Sequence, residues 1–223
     1  MTCESYVVTE KKSMKFTLAT KQNMTQFFAE NGEVIPATIL SAEPLTVITL
    51  KTKEKDGYEA VQVATQTQKK ERISKPVLGQ TIQPFKIVKE FRNNSNSNSD
   101  SAFGDLQKGA ILNLDVFSIG DIITISGISK GKGFQGVMKR HGFKGGWNQR
   151  GQKHSHREPG SIGGGGRAGG RVVKGKRMPG RMGSDRVTQK NIQILDIDVI
   201  NGLLLVKGAV PGKRGTLLEI RKN

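Results

Sequence analysis

The stretch Ile192-Gln193-Ile194-Leu195-Asp196-Ile197-Asp198-Val199-Ile200-Asn201-Gly202-Leu203-Leu204-Leu205-Val206 sets the reading of the whole chain. Residues 192–200 alternate apolar and polar with a period of two, the pattern of a strand with one face buried. Asn201-Gly202 then separates this run from a second apolar run, which predicts a two-residue hairpin turn. Asp196 and Asp198 take solvent-facing strand positions. Moving outward, comparable runs rich in β-branched residues recur at 34–40, 45–50, 58–64, 111–117, 122–128 and 217–220. Turn-forming pairs such as Asn31-Gly32, Asp56-Gly57, Gly120-Asp121 and Pro211-Gly212 punctuate them. No segment carries a long helical period. The expected fold is mainly β: a small antiparallel β-barrel built from residues 14–128 and 187–223. Residues 65–92 are polar, with Pro76 and Pro84 against long helices, and predict short irregular elements. The low-complexity run at 93–101 predicts a flexible polar surface loop.

Residues 129–186, between the two β-rich flanks, are different in kind. Of the chain's 36 Lys+Arg and 19 Asp+Glu, this segment holds 15 basic residues but only two acids, Glu158 and Asp185. It accounts for +13 of the net +17 and contains 17 of the 28 glycines. Its large apolar residues, among them Phe134, Val137, Phe143, Trp147 and Ile162, follow neither the helical nor the strand period. So few side chains cannot offset backbone ordering at about 1–2 kcal/mol per residue. The segment is expected to be irregular and to order against a polyanion. Its cations are Lys130, Lys132, Lys139, Arg140, Lys144, Arg150, Lys153, Arg157, Arg167, Arg171, Lys174, Lys176, Arg177, Arg181 and Arg186. Alternation with glycine lets cations and backbone N–H groups reach phosphates together. From residue 157 onward Arg outnumbers Lys six to two, and Arg suits bidentate phosphate contact and base stacking. Penetration into a folded RNA fits better than sliding on DNA. His154 and His156 join the set as groups able to hydrogen-bond phosphates or stack on bases.

Other chemistries are weaker in this sequence. Gly131-Lys132-Gly133-Phe134-Gln135-Gly136 matches G-x-G-x-x-G, but Gly142, Gly145 and Gly146 follow too soon for a useful helix to face a pyrophosphate. His154 and His156 offer two metal ligands where zinc needs three or four, and Lys153 and Arg157 repel a cation. No nucleophile has a base and an orienting acid in a recognisable pattern. The expectation is therefore no catalytic residue, no metal and no cofactor. The longest apolar runs fall far short of the roughly 18 residues of a membrane span. The first residues lack a secretory apolar core, and one cysteine, Cys3, excludes an internal disulfide framework. A soluble intracellular protein with a polyanionic partner is expected, with no membrane and no DNA partner.

Four motifs, in order, carry a resemblance: Ser129-Lys130-Gly131-Lys132-Gly133-Phe134-Gln135-Gly136-Val137-Met138-Lys139-Arg140; His154-Ser155-His156-Arg157-Glu158-Pro159-Gly160-Ser161-Ile162-Gly163; Lys174-Gly175-Lys176-Arg177-Met178-Pro179-Gly180-Arg181-Met182-Gly183; and Leu203-Leu204-Leu205-Val206-Lys207-Gly208-Ala209-Val210-Pro211-Gly212. Together they resemble the universal large-subunit ribosomal protein three family, of bacterial type. The resemblance implies a β-barrel of the translation-protein type, seated on the outside of the large subunit. It implies a long extension, here residues 129–186, running through 23S-type ribosomal RNA towards the peptidyl transferase centre. The tip would comprise Ile162, Gly163, Gly164, Gly165, Gly166, Arg167 and Gly170. Implied partners are large-subunit ribosomal RNA and ribosomal proteins fourteen and nineteen, with a role in early assembly and a cytoplasmic, ribosomal location.

The sequence also departs from that family. Met14-Lys15-Phe16 resembles the usual start, leaving 1–13 as an N-terminal extension. Asn23 replaces a glycine in a K-x-G-M-T-Q-like motif, and Asn tolerates positive φ if the turn requires it. Gly164 stands where some bacterial members carry a methylated glutamine. Two readings from other classes stay open at this point: a basic arm on a barrel serving a non-ribosomal interaction protein, and an enzyme using the glycine loop for a nucleotide.

Overall fold

The computed structural model describes residues 15–81, 83–93, 103, 106–164, 166 and 169–222. The expected extension at 1–13, nearly all of the polar loop at 93–101, and the tip residues Gly165 and Arg167 lie outside them. The chain divides into two compact units, one of Met1–Gly127 with Val187–Asn223 and one of Ile128–Arg186.

The first unit contains β1 (Phe16–Phe28), β2 (Val34–Ser41), β3 (Leu45–Lys51), α1 (Lys53–Asp56), β4 (Ala60–Thr67), α2 (Lys75–Gln80), β5 (Phe85–Arg92), β6 (Ile111–Leu112) and β7 (Ile122–Ile128). The second contains β8 (Gly133–Gln135), α3 (Val137–His141) and β9 (Gly180–Met182). The chain then returns to the first unit through β10 (Arg186–Asp198), β11 (Leu203–Lys207) and β12 (Leu217–Lys222). Six strands close a barrel in the order β1-β12-β7-β10-β11-β2. The expected antiparallel barrel is therefore present, but it is not the whole of the flanks. Four strands, in the order β5-β4-β3-β6, form a separate antiparallel sheet.

Period-two burial builds the barrel interior. Ile123 and Ile125 of β7, Ile192 and Ile194 of β10, Leu204 and Val206 of β11, and Leu218 and Ile220 of β12 are all buried in one cluster. A second cluster joins Leu45, Val47, Val61, Val63 and Phe91 to Phe16 and Leu18 of β1. Phe16 stacks on Phe91 at 4.5 Å between ring centroids and meets Phe103 edge-on at 6.2 Å. Strand β1 therefore serves two cores: Phe16 and Leu18 enter the second cluster and Ala19 enters the barrel. On the separate sheet, Glu90 accepts from Lys51 at 2.9 Å and from Arg92 at 2.9 Å. Hydrogen bonds from Lys51 and then Arg92 hold the Glu90 carboxyl below the usual range. The Tyr58 hydroxyl, followed by Glu90, raises the Lys51 ammonium.

Three expectations change in detail. The β10–β11 hairpin forms, but its loop spans 199–202 because Asp198 pairs directly with Leu203. Asp198 accepts from the Asn201 backbone N–H at 3.0 Å and from its amide at 2.7 Å, fixing the wider turn. Gly202 holds φ +65°, and a Cβ there would lie 2.7 Å from the Ala42 carbonyl oxygen. The expected strand at 111–117 stops at Leu112. A 3₁₀ turn at Leu114–Val116 follows it, and Leu114 and Phe117 are buried in the barrel cluster. Residues 85–92, expected to be irregular, form an eight-residue strand paired along β4 from Ala60↔Arg92 to Thr67↔Phe85. At the Lys21/Met24 bulge of β1, Asn23 is not in the positive-φ region, so that turn needs no glycine.

Candidate nucleic-acid interface

A short two-stranded stem organises the Ile128–Arg186 unit. Strand β8 pairs antiparallel with β9 in the register Gly133↔Met182, Phe134↔Arg181 and Gln135↔Gly180. The pairing continues below the strands: Lys132 N–H donates to Met182 O at 2.9 Å, and Ser129 N–H to Asp185 O at 2.9 Å. Asp185 N–H donates in turn to Ser129 Oγ at 3.3 Å. Gly183 is required at this crossing. Its φ is +79°, and a Cβ would meet the Lys130 carbonyl oxygen at 2.2 Å. Both obstacles are backbone, so no rotamer change relieves them.

The five-residue α3 follows Gly136 directly and ends at Gly142. It is too short to present a helix terminus to a dinucleotide, as the following glycines suggested. Its role is local. Arg140 donates to Met178 O at 2.7 Å, and His141 Nε2 lies 3.1 Å from the same oxygen. This ties the helix to the irregular chain that leads into β9. Farther out, Gly146 N–H donates to His156 O at 3.0 Å, and a 3₁₀ turn spans Ser155–Arg157. Sequence reasoning placed Arg140 among the phosphate-facing cations and did not single out His141, Met178, Gly180 or Gly183. Only the Gly180 and Gly183 spacing hints at them, because their partners lie some 40–50 residues away in sequence.

The unit has almost no interior. Val137, 1% exposed, is its one buried hydrophobic side chain among the described residues. Phe134 and Trp147 are 76% and 79% exposed. Lys130, Lys132, Lys139, Lys144, Arg150, Lys153, His154, Arg157, Arg171, Lys174, Lys176, Arg177, Arg181 and Arg186 are exposed, and Arg140 and His156 half-buried. Among the described residues, the lysines and Arg150, Arg157, Arg171, Arg177 and Arg181 form no ion pair. Glu158 and Asp185 are exposed and neutralise none of them. Of the residues expected at the tip, Ile162, Gly163, Gly164, Gly166 and Gly170 are exposed. Gly163 and Gly164 sit at φ +104° and +117°, backbone that side-chain-bearing residues avoid. The structure therefore presents a dense field of solvated cations on backbone with no core of its own. Such a surface can neutralise phosphates; it holds no cluster of three or more His, Cys, Asp or Glu among the described residues.

Gly183→Ala tests the stem. The variant should lose the β8–β9 pairing while the barrel unfolds at the wild-type temperature. Amide exchange at Lys132 and Ser129 should accelerate; unchanged protection at both would show that the crossing tolerates a Cβ.

Comparison with known proteins agrees with this geometry. The family model described as Ribosomal protein L3 matches residues 43–202. The protein named large ribosomal subunit protein uL3 from Bacillus thuringiensis (strain Al Hakam) is 43% identical over 211 residues, covering 93% of this chain and 96% of its own length. The same figures hold for the uL3 proteins of Bacillus cereus (strain B4264) and Bacillus anthracis (strain CDC 684 / NRRL 3495). A match of this extent, over both the barrel strands and the basic segment, places the chain in the ribosomal protein L3 family, a non-enzymatic family of large-subunit ribosomal proteins.

Proposed function

We propose that this protein binds large-subunit ribosomal RNA directly, with residues 14–128 and 187–223 as the anchoring domain and 129–186 as an RNA-penetrating extension. One observation carries the reading: 15 cations against two acids lie on a unit with a single buried hydrophobic side chain among its described residues. A structure of that kind gains little from folding on itself and much from replacing counterions along a polyanion. The rRNA-binding set is Lys130, Lys132, Lys139, Arg140, Lys144, Arg150, Lys153, His154, His156, Arg157, Arg167, Arg171, Lys174, Lys176, Arg177, Arg181 and Arg186. Ile162 to Arg167 with Gly170 form the end nearest the peptidyl transferase centre, where the glycines let backbone approach RNA closely. Binding early in assembly nucleates the subunit, and ribosomal proteins fourteen and nineteen are the expected protein neighbours.

A sucrose gradient of native lysate, probed for the protein before and after a high-salt wash, tests this. Retention in the large-subunit peak after the wash is the expected result. Release into the light fractions would mean a peripheral, charge-only association and would favour an interaction protein that uses a basic arm.

A further inference from the structure

The end of the β1–β2 hairpin is unlike the rest of the surface. From Gln22 to Leu50 a chain with 36 Lys+Arg has none, and Glu30, Glu33 and Glu43 are the only charged side chains. Strand β12 pairs with β1 only as far as Thr20, and β11 pairs with β2 only from Ser41 to Ala37. Gln26–Phe28 and Val34–Pro36 therefore run beyond the barrel as a two-stranded arm, paired with each other. Directly opposed residues share a face of such an arm, and the side-chain period is two. The pairs Gln26↔Pro36 and Phe28↔Val34, with Met24 at the root, put Met24, Gln26, Phe28, Val34 and Pro36 on one face. All five are exposed, Phe28 at 70%.

The arm ends in a hydrogen-bonded turn. Ala29 N–H donates to Glu33 O at 3.0 Å, Gly32 N–H to Ala29 O at 2.9 Å, and Glu33 N–H to Asn31 Oδ1 at 3.2 Å. Glu30 and Glu33 are exposed there and form no ion pair among the described residues. No cation flanks the face. Lys207 is opposite Ala37 and so belongs to the other face. Lys21 turns back to the barrel, donating to Val210 O at 2.7 Å and Gly212 O at 3.1 Å. Four apolar side chains left in water favour burial against another surface. Two unpaired carboxylates beside them repel phosphate, so that surface is not nucleic acid.

We propose that this face docks a basic protein of the large subunit, one that presents an apolar patch rimmed by Lys or Arg; the inference rests on family membership and not on the RNA-binding reading. Charge complementarity to Glu30 and Glu33 selects that partner over an acidic one. Phe28 supplies the aromatic anchor, with Met24, Val34 and Pro36 around it. Five side chains fall short of the roughly 20–30 residues a side of a standard interface. The contact therefore forms inside the assembled subunit, where both proteins are already held in place, and not between the two free proteins.

The test uses the full chain inside the particle. Protein carrying Phe28→p-benzoylphenylalanine is expressed in growing cells, and purified large subunits that contain it are irradiated. The expected product is a crosslink to one large-subunit protein, within a peptide that mass spectrometry shows to carry Lys or Arg beside apolar residues. A crosslink to RNA, revealed by nuclease digestion, overturns the proposal and adds the arm to the RNA-binding surface. A crosslink to an acidic peptide overturns it as well. So does the absence of any crosslink, because the face is then open to solvent in the particle. Phe28→Ser with Val34→Ser, and separately Glu30→Lys with Glu33→Lys, should leave the melting temperature of the free chain unchanged, since all four side chains are exposed. Each pair should lower retention of the crosslinked protein in salt-washed subunits by about tenfold. Full retention of that protein with either pair overturns the proposal.

Discussion

Raising the salt concentration from about 50 to 200 mM should weaken binding to large-subunit ribosomal RNA by roughly 10³–10⁵-fold. The expectation follows from cations that have no protein partner. The lysines of residues 129–186, with Arg150, Arg157, Arg171, Arg177 and Arg181, form no ion pair among the described residues. Each can therefore trade a hydrated counterion for a phosphate without first breaking an internal bond. Engaging 6–10 phosphates gives a log–log slope of about −0.7 per phosphate on single strands and about −0.9 at the charge density of B-form DNA. A filter-binding titration across that range measures it. A flat response would mean that shape and hydrogen bonding, not counterion release, drive association, and the exposed cation field would need another explanation.

Leu204→Ala should cost the barrel about 2–5 kcal/mol, the usual range for deleting a fully buried leucine. Leu204 is 0% exposed, and its strand pairs it with Leu40 on one side and Ile197 on the other. Both neighbours are in or against the barrel cluster, so the walls around the lost methyl groups are already packed and collapse little. For a unit of this size the loss corresponds to roughly 5–20 °C in melting temperature. Ile200→Ala provides the contrast. Ile200 is 96% exposed in the wide β10–β11 loop, and its truncation should stay within about 0.5 kcal/mol. Equal effects at the two positions would mean that the barrel interior is not where these strands place it.

The hairpin at β10 and β11 was legible because one face of each strand meets one core, so burial has period two. Strand β1 was hidden for the opposite reason. Phe16 to Ala19 are all buried, with consecutive side chains shared between two cores, and the alternation disappears. The run at 111–117 reads as a strand by its apolar content. Yet Leu114 and Phe117 reach the barrel with a spacing of three, and only a 3₁₀ turn delivers that. The cation field could be counted directly, since like charge without acids is a property of composition. Its supports could not, because the β8–β9 stem joins residues far apart in sequence.

The pairing of β1 with β12, in the register Phe16↔Arg221 to Thr20↔Leu217, has a consequence for how the molecule is made. During synthesis at about 5–20 residues per second, the first of these strands leaves the ribosome roughly 10–40 s before the last. For that interval one edge of β1 has no ladder partner, although β2 has already paired with the other. The cationic segment also emerges before the six strands can close. Closure of the cylinder thus has to wait for β12. A nascent chain that stalls short of its last strand exposes both an open strand edge and a field of positive charge to every nucleic acid around it.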